Sequence, residues 1–587
     1  MALHQFDYIF ALGTLFAFLD AWNIGANDVA NSFATSVSSR SLTYLQAMGI
    51  GSVMEFAGSV AVGARVADTI RTKIVDPDLF EDNPALLMLG MMCAVIGSSV
   101  YLTLATKLGL PVSTTHSIMG GVIGMGIATI GASQITWWGG DVNSGVVSVF
   151  LAWIIAPFCS AGFASIIFLI TKYVVMLRRN PLMKALVSIP IYFGVTSALI
   201  TMLIVWKGGS ARINVTNSET VGIIIGVGAA VGLLVAVFFC PWLYRVLIKD
   251  DWELKYYHVP LGPLLLRRPE PTPPPAGFQV FKDYYRGHMT MDELKASREA
   301  QIHAELEDEE NRTHVSEKRV PVEDTGARSE SDDGKATPAA DPDVVEKNPD
   351  KFEIIGPRPV GGVFSPAVLF WQFKRVFFRG VEQDIIAQQK KATILTGDIE
   401  TIHAHAAHYD NKAEYLYSFL QVLTASAASF THGANDVSNA IGPYTTIYHI
   451  WNTNELGSKV PVPYWILVFG GAAIVIGLWT YGYNIMRNLG NRITLHSPSR
   501  GFSMELGAAI TVIMATRLKL PVSTTQCITG ATVGVGLCSG TWRTINWRMV
   551  LWIYGGWIIT LPVTGIISGC LMGIIINAPR WGYDYTV

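Results

Sequence analysis

Two short motifs that carry carboxylate, amide and hydroxyl side chains each occur twice in this chain. GANDVANS at 25–32 returns as GANDVSNA at 433–440, with an offset of 408 residues. LGLPVSTTHSIMGG at 108–121 returns as LKLPVSTTQCITGA at 518–531, with an offset of 410 residues. Because two separate motifs recur in the same order and at nearly the same offset, we infer an internal duplication.

The GAND motif carries the kinds of oxygen atom that bind hard cations. Its carboxylate and amide groups come from Asn27, Asp28, Asn435 and Asp436. A carboxylate inside a membrane costs about 2.5–3.5 kcal/mol unless it is paired, and neither copy of the motif contains Lys or Arg. We therefore expect these residues to bind a cation. For one copy alone, a polar helix end close to water would be an adequate explanation.

The PVSTT motif suits an anion. Pro111 and Pro521 are typical of the first turn of a helix, where free backbone N–H groups and the helix dipole attract negative charge. Hydroxyl donors fall in the same turn, from Ser113, Thr114, Thr115, Ser523, Thr524 and Thr525. Two such helix ends could enclose a tetrahedral oxyanion, and Asn31 and Asn439 are assigned to it as well. Ordinary capping of a membrane helix by Ser and Thr is the alternative.

Four further polar residues are assigned to coupling or gating. Glu55 and Glu505 fall in apolar segments, one in each half, but the offset of 410 places Val95 opposite Glu505. The two are therefore not repeat equivalents, and each is expected to carry a proton or sodium ion or to serve only as a hydrogen bonder between helices. His116 follows the first PVSTT motif, and Gln526 replaces it in the second copy.

The composition indicates which class of protein must position these groups. Of the 587 residues, 50% are hydrophobic and 15% are charged, against about 25% charged in an average soluble domain. The mean hydropathy is +0.36 and the formal net charge is −2. An ordinary soluble enzyme and a strongly basic nucleic-acid binder are therefore excluded. We predict an all-α polytopic membrane protein.

About twelve segments have the length and apolar character of membrane spans. These segments are 7–23, 43–66, 84–106, 112–131, 146–171, 187–206, 220–247, 413–432, 463–486, 501–517, 521–539 and 548–576. Basic residues in the loops 172–186 and 487–500 predict that both loops are cytoplasmic. The span count then places the central loop in the cytoplasm and both termini outside, and a glycosylation sequon at Asn214 falls in an external loop. The halves are therefore expected to be inverted repeats with the site at their interface.

Each half is also expected to contain a broken helix. The apolar residues 7–22 rise about 24 Å, too short to cross a bilayer core of about 30 Å. Gly25 could end the helix at that point. In the second copy, Gly433 could likewise end the helix after the apolar residues 415–430. Irregular backbone at this depth is tolerated only where it lines a polar cavity.

We expect the chain to divide into a first membrane half at 1–247, a disordered cytoplasmic loop at 248–360, an amphipathic interfacial segment at 361–411 and a second membrane half at 412–587. The loop is rich in Pro and charged residues and has too little apolar content to fold. Residues 366–379 mix aromatic and basic side chains, as helices on a membrane surface do, and packing on the helix bundle is the alternative. A solvated loop, rather than a metal site, is predicted for His403, His405 and His408.

At these motifs the chain resembles the PiT family of inorganic phosphate transporters, the sodium–phosphate symporters. The family's GAND motif matches 25–28 and 433–436, and its PVSTTH motif matches 111–116, whereas the second copy reads PVSTTQ. The resemblance covers about 1–247 and 360–587, and the acidic, Pro-rich loop looks most like that of the fungal members in the plasma membrane. It implies cotransport of phosphate with Na⁺ as the coupling ion, duplicated inverted halves and a homodimer.

The residues by themselves indicate a cation-coupled transporter of an oxyanion, and the preference for phosphate over arsenate or sulfate comes from the resemblance. A proton-coupled symporter of phosphate or another tetrahedral oxyanion is the nearest alternative. A channel would need a continuous pore lining rather than two inverted broken helices. The sequence contains no motif of an intramembrane hydrolase and no Walker loop, so neither an enzyme nor an ATP-driven pump is predicted.

Overall fold

The computed structural model describes residues 3–64, 74–140, 145–205, 216–275, 281–317, 354–391, 393–457, 460–518, 520 and 522–578. Within these ranges the regular elements are all helices. Asn214 of the sequon and Pro521 of the second PVSTT motif lie outside the described residues.

Seven helices lie in the described part of the first half of the chain. They are α1 (Asp7–Ser38), α2 (Tyr44–Val62), α3 (Pro84–Leu108), α4 (Thr114–Ile130), α5 (Gly145–Met176), α6 (Pro181–Leu203) and α7 (Asn217–Ile248). Local sequence signals set several of their ends. Thr43 and Gln46 form a capping box at the start of α2, and α3 ends at Gly109, whose positive φ of 72° suits glycine.

Nine helices follow within the described ranges, four of them in the connection between the halves. They are α8 (Met291–Glu317), α9 (Pro366–Phe377), α10 (Ile385–Lys390), α11 (Ile399–Ala404), α12 (Asn411–Thr453), α13 (Tyr464–Met486), α14 (Pro498–Leu518), α15 (Thr524–Ser539) and α16 (Trp547–Asn577). A helix lies at each of the twelve predicted spans. Among the described residues, eight helices are long and apolar enough to cross a membrane, namely α1, α2, α3, α5, α6, α7, α13 and α16. The all-α polytopic membrane class is confirmed, while the count of twelve spans stays a prediction.

The predicted helix break at the GAND motifs is wrong. Helix α1 runs without interruption through Gly25 and Asp28, and α12 runs through Gly433 and Asp436. The glycines serve close helix packing instead. A Cβ on Gly25 would lie 1.9 Å from the carbonyl oxygen of Ile474, and one on Gly433 would lie 2.2 Å from that of Glu55. Non-helical backbone lies instead at the PVSTT motifs, at 109–113 between α3 and α4 and at the described residues 520, 522 and 523 between α14 and α15.

The two halves exchange packing partners. Helix α1 packs along α13 of the second half, and α12 packs along α2 of the first. Helix α4 likewise packs on α16, and α15 packs on α5. Glycines again allow the approach, because a Cβ on Gly124 would lie 2.0 Å from the carbonyl oxygen of Gly565, and one on its repeat equivalent Gly534 would lie 2.7 Å from that of Ala161. Each motif helix is therefore held by a helix from the other half.

The expectation of a wholly disordered central loop is wrong in part. Residues 281–290 pack on the second half, where Tyr285 Oη donates to Glu414 Oε1 at 2.8 Å and Lys390 Nζ donates to the carbonyl oxygen of Gly287 at 2.7 Å. Helix α8 then lies beside α11. The apolar and aromatic residues around Tyr285 supply enough buried surface to order this stretch, and the low average hydrophobicity of the loop conceals them.

His403 also departs from the sequence prediction, because it is buried and not solvated. Its Nδ1 atom lies 3.1 Å from Nδ1 of His288, and its Nε2 atom donates to the carbonyl oxygen of Asn491 at 2.7 Å. Helix α9 exposes Phe370 and Phe373, and its placement on the membrane surface stays a prediction.

Candidate functional site

All four motif copies meet in one buried cluster. The GAND motifs contribute side chains from the middle of α1 and α12, and the PVSTT motifs contribute the first turns of α4 and α15. The exchanged packing of the halves brings these turns to the GAND helices. The side chains that the sequence analysis divided between a cation and an anion therefore lie in contact with one another.

Asp28 accepts hydrogen bonds from both halves. Its Oδ2 atom accepts from Thr114 Oγ1 at 2.8 Å, and its Oδ1 atom accepts from Thr525 Oγ1 at 3.1 Å. Asn31 Nδ2, one turn further along α1, donates to the same Oδ1 atom at 3.1 Å. Asp28 thus connects its own helix to the PVSTT helices of both halves.

Asp436 has a matching position in the second half. Its Oδ2 atom accepts from Thr524 Oγ1 at 2.9 Å, and its Oδ1 atom accepts from Asn435 Nδ2 at 2.7 Å. Both aspartates are buried. Each therefore binds the threonine at the start of the PVSTT helix of its own half.

Asn31 and Asn439 also make contacts that cross between the halves. Asn31 Nδ2 donates to Thr525 Oγ1 at 2.9 Å, and Asn439 Nδ2 donates to Thr115 Oγ1 at 3.2 Å. The amide of each GAND motif thus reaches the hydroxyls of the opposite PVSTT motif. Among the described residues, Asn31 Oδ1 has no hydrogen-bond partner, although it is buried.

His432 lies at the centre of the cluster and was not assigned a role from the sequence. Its Nε2 atom lies 2.9 Å from Asp436 Oδ2 and 3.6 Å from Asp28 Oδ2. Its Nδ1 atom lies 2.8 Å from Glu55 Oε2, whose other oxygen accepts from Ser429 Oγ at 3.0 Å. One ligand atom from each of His432, Asp28 and Asp436 lies within 4.8 Å of the others. Glu55 therefore joins the cluster through a histidine.

Asn27 does not join the carboxylate cluster. Its amide nitrogen donates to the carbonyl oxygen of Leu110 at 3.1 Å, and its oxygen accepts from the backbone N–H of Val112 at 3.1 Å. From the turn after α13, Asn488 Nδ2 donates to the carbonyl oxygen of Gly109 at 3.0 Å. These amides hold the irregular backbone before α4, so Asn27 positions the hydroxyls of the first PVSTT motif.

The remaining predicted residues lie around the cluster in different roles. Ser113 caps α4, because its Oγ accepts from the backbone N–H of His116 at 3.2 Å, whereas Ser523 makes no such side-chain bond. His116 Nδ1 accepts from Trp153 Nε1 at 3.1 Å. Gln526 is buried, and neither of its amide atoms has a partner among the described residues.

Glu505 lies apart from the cluster in a site of its own. Its Oε1 atom accepts from Thr35 and Ser36 at 2.5 and 2.7 Å and from Gln421 Nε2 at 3.2 Å. Its Oε2 atom accepts from Thr424 Oγ1 at 2.6 Å. Four donors satisfy this buried carboxylate, which ties α14 to α1 and α12.

The cluster combines two kinds of binding chemistry. Carboxylate and amide oxygens suit a hard cation, and hydroxyls at the first turns of two helices suit an anion. Because Thr114, Thr524 and Thr525 donate directly to the aspartates, a change at either set of ligands alters the other. This contact is a physical route by which two bound ions can influence each other.

Comparison with known proteins places these residues in a wider context. The model of the phosphate transporter family matches residues 24–568. The chain is 64% identical to the phosphate-repressible phosphate permease pho-4 of Neurospora crassa, over 100% of both chains. It is 28% identical to sodium-dependent phosphate transporter 2 of Felis catus, covering 98% of this chain and 99% of that one.

A solved structure has the same fold. It is described as the sodium-dependent phosphate transporter, and it matches with a TM-score of 0.64 and 23% identity. The match covers 97% of the present chain and 100% of the solved one. At that identity the match supports the architecture alone.

Proposed function

The chain belongs to the phosphate transporter family, whose members are transporters and not enzymes, and from this premise we propose that it carries inorganic phosphate across the membrane together with sodium ions. One observation carries the proposal. The hydroxyls of both PVSTT motifs touch the carboxylates and amides of both GAND motifs in a single buried cluster. A site built in this way can hold an anion and a cation side by side.

Phosphate is assigned to the hydroxyl side of the cluster. Its ligands are Ser113, Thr114, Thr115, Ser523, Thr524, Thr525, Asn31 and Asn439. Helices α4 and α15 both begin at this point, so their dipoles favour negative charge there. The names of the relatives in Neurospora crassa and Felis catus, which are phosphate transporters, support phosphate as the anion.

Sodium is assigned to the carboxylate side, with Asp28 and Asp436 as ligands and Asn435 beside them. An intramembrane carboxylate needs a compensating charge, and among the described residues His432 is the only basic side chain paired with these aspartates. The relative in Felis catus is named as sodium-dependent. Asn27 is not among these ligands, because its amide group holds the backbone of the first PVSTT motif.

We also propose that the halves are inverted, with both termini outside and the central loop in the cytoplasm, as the basic residues in the loops and the span count predict. Helix α1 packs on α13 as its repeat equivalent α12 packs on α2, and α4 packs on α16 as its repeat equivalent α15 packs on α5. Cysteines at Val215 and Ala300, in a chain whose native cysteines are replaced by serine, should react with impermeant reagents from opposite sides of intact cells. Reaction from the same side would contradict this orientation. A plasma-membrane location and a homodimer are proposed from the family resemblance.

Proton coupling is the second candidate, and one observation favours it. His432 connects Glu55 to Asp28 and Asp436, and such a chain of titratable groups can carry a proton across the site. Uptake of phosphate into proteoliposomes, driven either by a sodium gradient or by a pH gradient, separates the two candidates. Uptake that needs no sodium and follows the pH gradient would overturn the sodium proposal.

Paired substitutions test the division of the site. Asp28→Asn and Asp436→Asn remove a charge and keep the size, so sodium binding should weaken more than phosphate binding. Thr115→Val keeps the shape and removes a hydroxyl, which should cost about 1–3 kcal/mol, or about 5- to 150-fold in phosphate affinity. Thr115 is preferable to Thr525 because Thr525 also donates to Asp28.

The matched control is Thr129→Val in the same helix, because the Thr129 hydroxyl bonds, among the described residues, only to the carbonyl oxygens of Met125 and Gly126. Sodium and phosphate are each titrated on purified protein with and without the other ion, because linkage would otherwise mix their effects. If both aspartate variants bind sodium like the wild type and lose phosphate, the carboxylates belong to the anion side.

A further inference from the structure

A second buried carboxylate lies on α1, two helical turns before the cluster. Asp20 is fully buried at 0% exposure, and the contacts of the cluster do not include it. It faces α3 at Ser98 and Ser99. An isolated carboxylate in this position is costly in a membrane protein, so its partners determine what it does.

The protein supplies Asp20 with few hydrogen bonds. Its Oδ1 atom lies 3.4 Å from Ser99 Oγ, and that hydroxyl also bonds to the carbonyl oxygen of Phe16 at 2.9 Å. Among the described residues, Asp20 Oδ2 has no partner at all.

Asn23, one turn further along the same face, has a second unpartnered oxygen. Its amide nitrogen donates to the carbonyl oxygens of Leu19 and Ser99 at 2.9 and 3.3 Å and to Thr103 Oγ1 at 2.9 Å. These bonds fix the orientation of the amide. Asn23 Oδ1 has no partner among the described residues. Residues i and i+3 share a helix face, so the carboxylate and the amide oxygen lie on one side of α1.

The chemistry of this pocket favours a cation. Its unpartnered atoms, Asp20 Oδ2 and Asn23 Oδ1, are both acceptors, which exclude an anion and suit a hard cation. Helices α1 and α4 contain no Lys or Arg, and the only one in α3 is Lys107, eight residues beyond Ser99. Glu505 offers the contrast, since four donors saturate its carboxylate.

We propose that Asp20 and Asn23, with the hydroxyls of Ser98 and Ser99, form an additional sodium-binding site beside the central cluster. It lies toward the N-terminal end of α1, which the proposed orientation places on the outer side. A sodium ion would reach this site before the cluster when it enters from outside. The identity of the ion rests on the proposed function, whereas the site itself rests on the two unpartnered oxygens.

Equilibrium binding of radioactive sodium to the purified full-length protein, without phosphate, tests the site directly. Asp20→Asn should lower the amount bound at saturation by one ion per chain, or weaken one class of site at least tenfold. Phosphate affinity at saturating sodium should remain within twofold of the wild type. Asp7→Asn is the charge-matched control, because Asp7 lies exposed on the same helix and should bind sodium as the wild type does.

Two outcomes would overturn the proposal. Asn mimics a permanently protonated carboxyl group, so wild-type sodium binding by Asp20→Asn would assign Asp20 a neutral, structural role. If that variant does not fold, Ser98→Ala leaves the carboxylate in place and should weaken sodium binding three- to tenfold, and unchanged binding would likewise reject the site. Failure of the proposed function is separate, because it would appear as wild-type uptake that does not depend on sodium.

Discussion

His432 lies between three buried carboxylates, those of Asp28, Glu55 and Asp436. A buried charged group without its partner costs several kcal/mol. The histidine is therefore the group on which the placement of these carboxylates depends. Because it bonds to Glu55 through one ring nitrogen and lies near both aspartates with the other, it also joins α2 to the two GAND helices.

His432→Ala should destabilise the folded protein by about 3–5 kcal/mol, because it leaves the Glu55 carboxylate buried and unpaired. Adding Glu55→Gln to that variant should restore part of the loss, since the unpaired charge is then removed. Thermal unfolding of the purified variants in detergent measures both effects. His4→Ala, at an exposed histidine, is the control. Losses that simply add in the double variant would show that the two residues are not coupled.

Much of this cluster could be predicted from the sequence, but His432 could not. The repeat made Asp28 and Asp436 conspicuous because they occur in both copies. His432 occurs in one copy only, and Ile24 is at the equivalent position in the first. Asn27 was assigned to the cation because it too occurs in both copies of the motif. Its contacts with Leu110 and Val112 depend on tertiary packing, which the motif does not reveal.

At the scale of the elements, glycines decide how closely the helices approach. Gly25 and Gly433 lie against backbone carbonyl oxygens of α13 and α2. The sequence suggested a helix break at these positions because glycine is a poor helix former. The intrinsic preference of glycine is outweighed here by the packing that its missing side chain allows.

Gly25→Ala and Gly433→Ala should each destabilise the protein by about 1–3 kcal/mol or more, since an added methyl group forces two helices apart. Gly226→Ala in α7 is the matched control, because a Cβ there would meet nothing within 4 Å. That control should be neutral or stabilising by about 0.5–1 kcal/mol. Thermal unfolding of purified protein ranks the three variants. Equal stability of Gly25→Ala and Gly226→Ala would contradict the packing argument.

A pair of histidines attaches the ordered part of the central loop to α11. His403 donates from Nε2 to Asn491, so in its neutral form Nδ1 must accept from Nδ1 of His288. Burial lowers the pKa of His403 to about 4 and holds the pKa of His288 well below its usual value of 6.5. A proton on His403 would place two N–H groups against each other, whereas a proton on His288 would add a buried positive charge close to Lys390.

The attachment of residues 281–290 should therefore weaken as the pH falls. Both histidines take up protons more readily when the segment is detached, so its stability is complete above about pH 6.5 and decreases from there toward pH 4. The loss approaches 1.4 kcal/mol per pH unit for each histidine. Hydrogen exchange of the amides of 284–288 measures it, and His403→Gln should flatten the dependence. Protection that does not change between pH 7 and pH 5 would rule out this attachment.

At the scale of the whole molecule, the connection from 281 to 353 has two parts. Residues 281–290 contact the second half and α8 lies beside α11, whereas residues 318–353 lie outside the described structure. Composition alone could not separate the two parts, because a few aromatic and histidine side chains order a stretch whose average composition is polar. The duplication was evident from the sequence, whereas the exchange of partners between the halves depends on contacts far apart in the chain.

Replacement of 318–353 by a Gly/Ser linker of equal length should leave phosphate uptake within twofold of the wild type, because none of the described contacts is removed. Extending the replacement to 281–353 removes the donor that Tyr285 supplies to buried Glu414, which should cost about 1–3 kcal/mol of stability. Uptake at matched surface expression and thermal unfolding measure the two effects. Loss of uptake with the shorter replacement would mean that the linker region takes part in transport.

The exchanged packing has a consequence for how the protein is made. Helix α1, with its buried Asp28 and Asn31, is synthesised about 450 residues before Ile474 of its partner helix α13. At roughly 5–20 residues per second, the ribosome needs about 20–90 seconds to cover that distance. During this interval polar side chains of α1 are in the membrane without the surface that will enclose them. The nascent first half must therefore be sheltered, by the translocation machinery or by temporary pairing of its own helices, until the second half is complete.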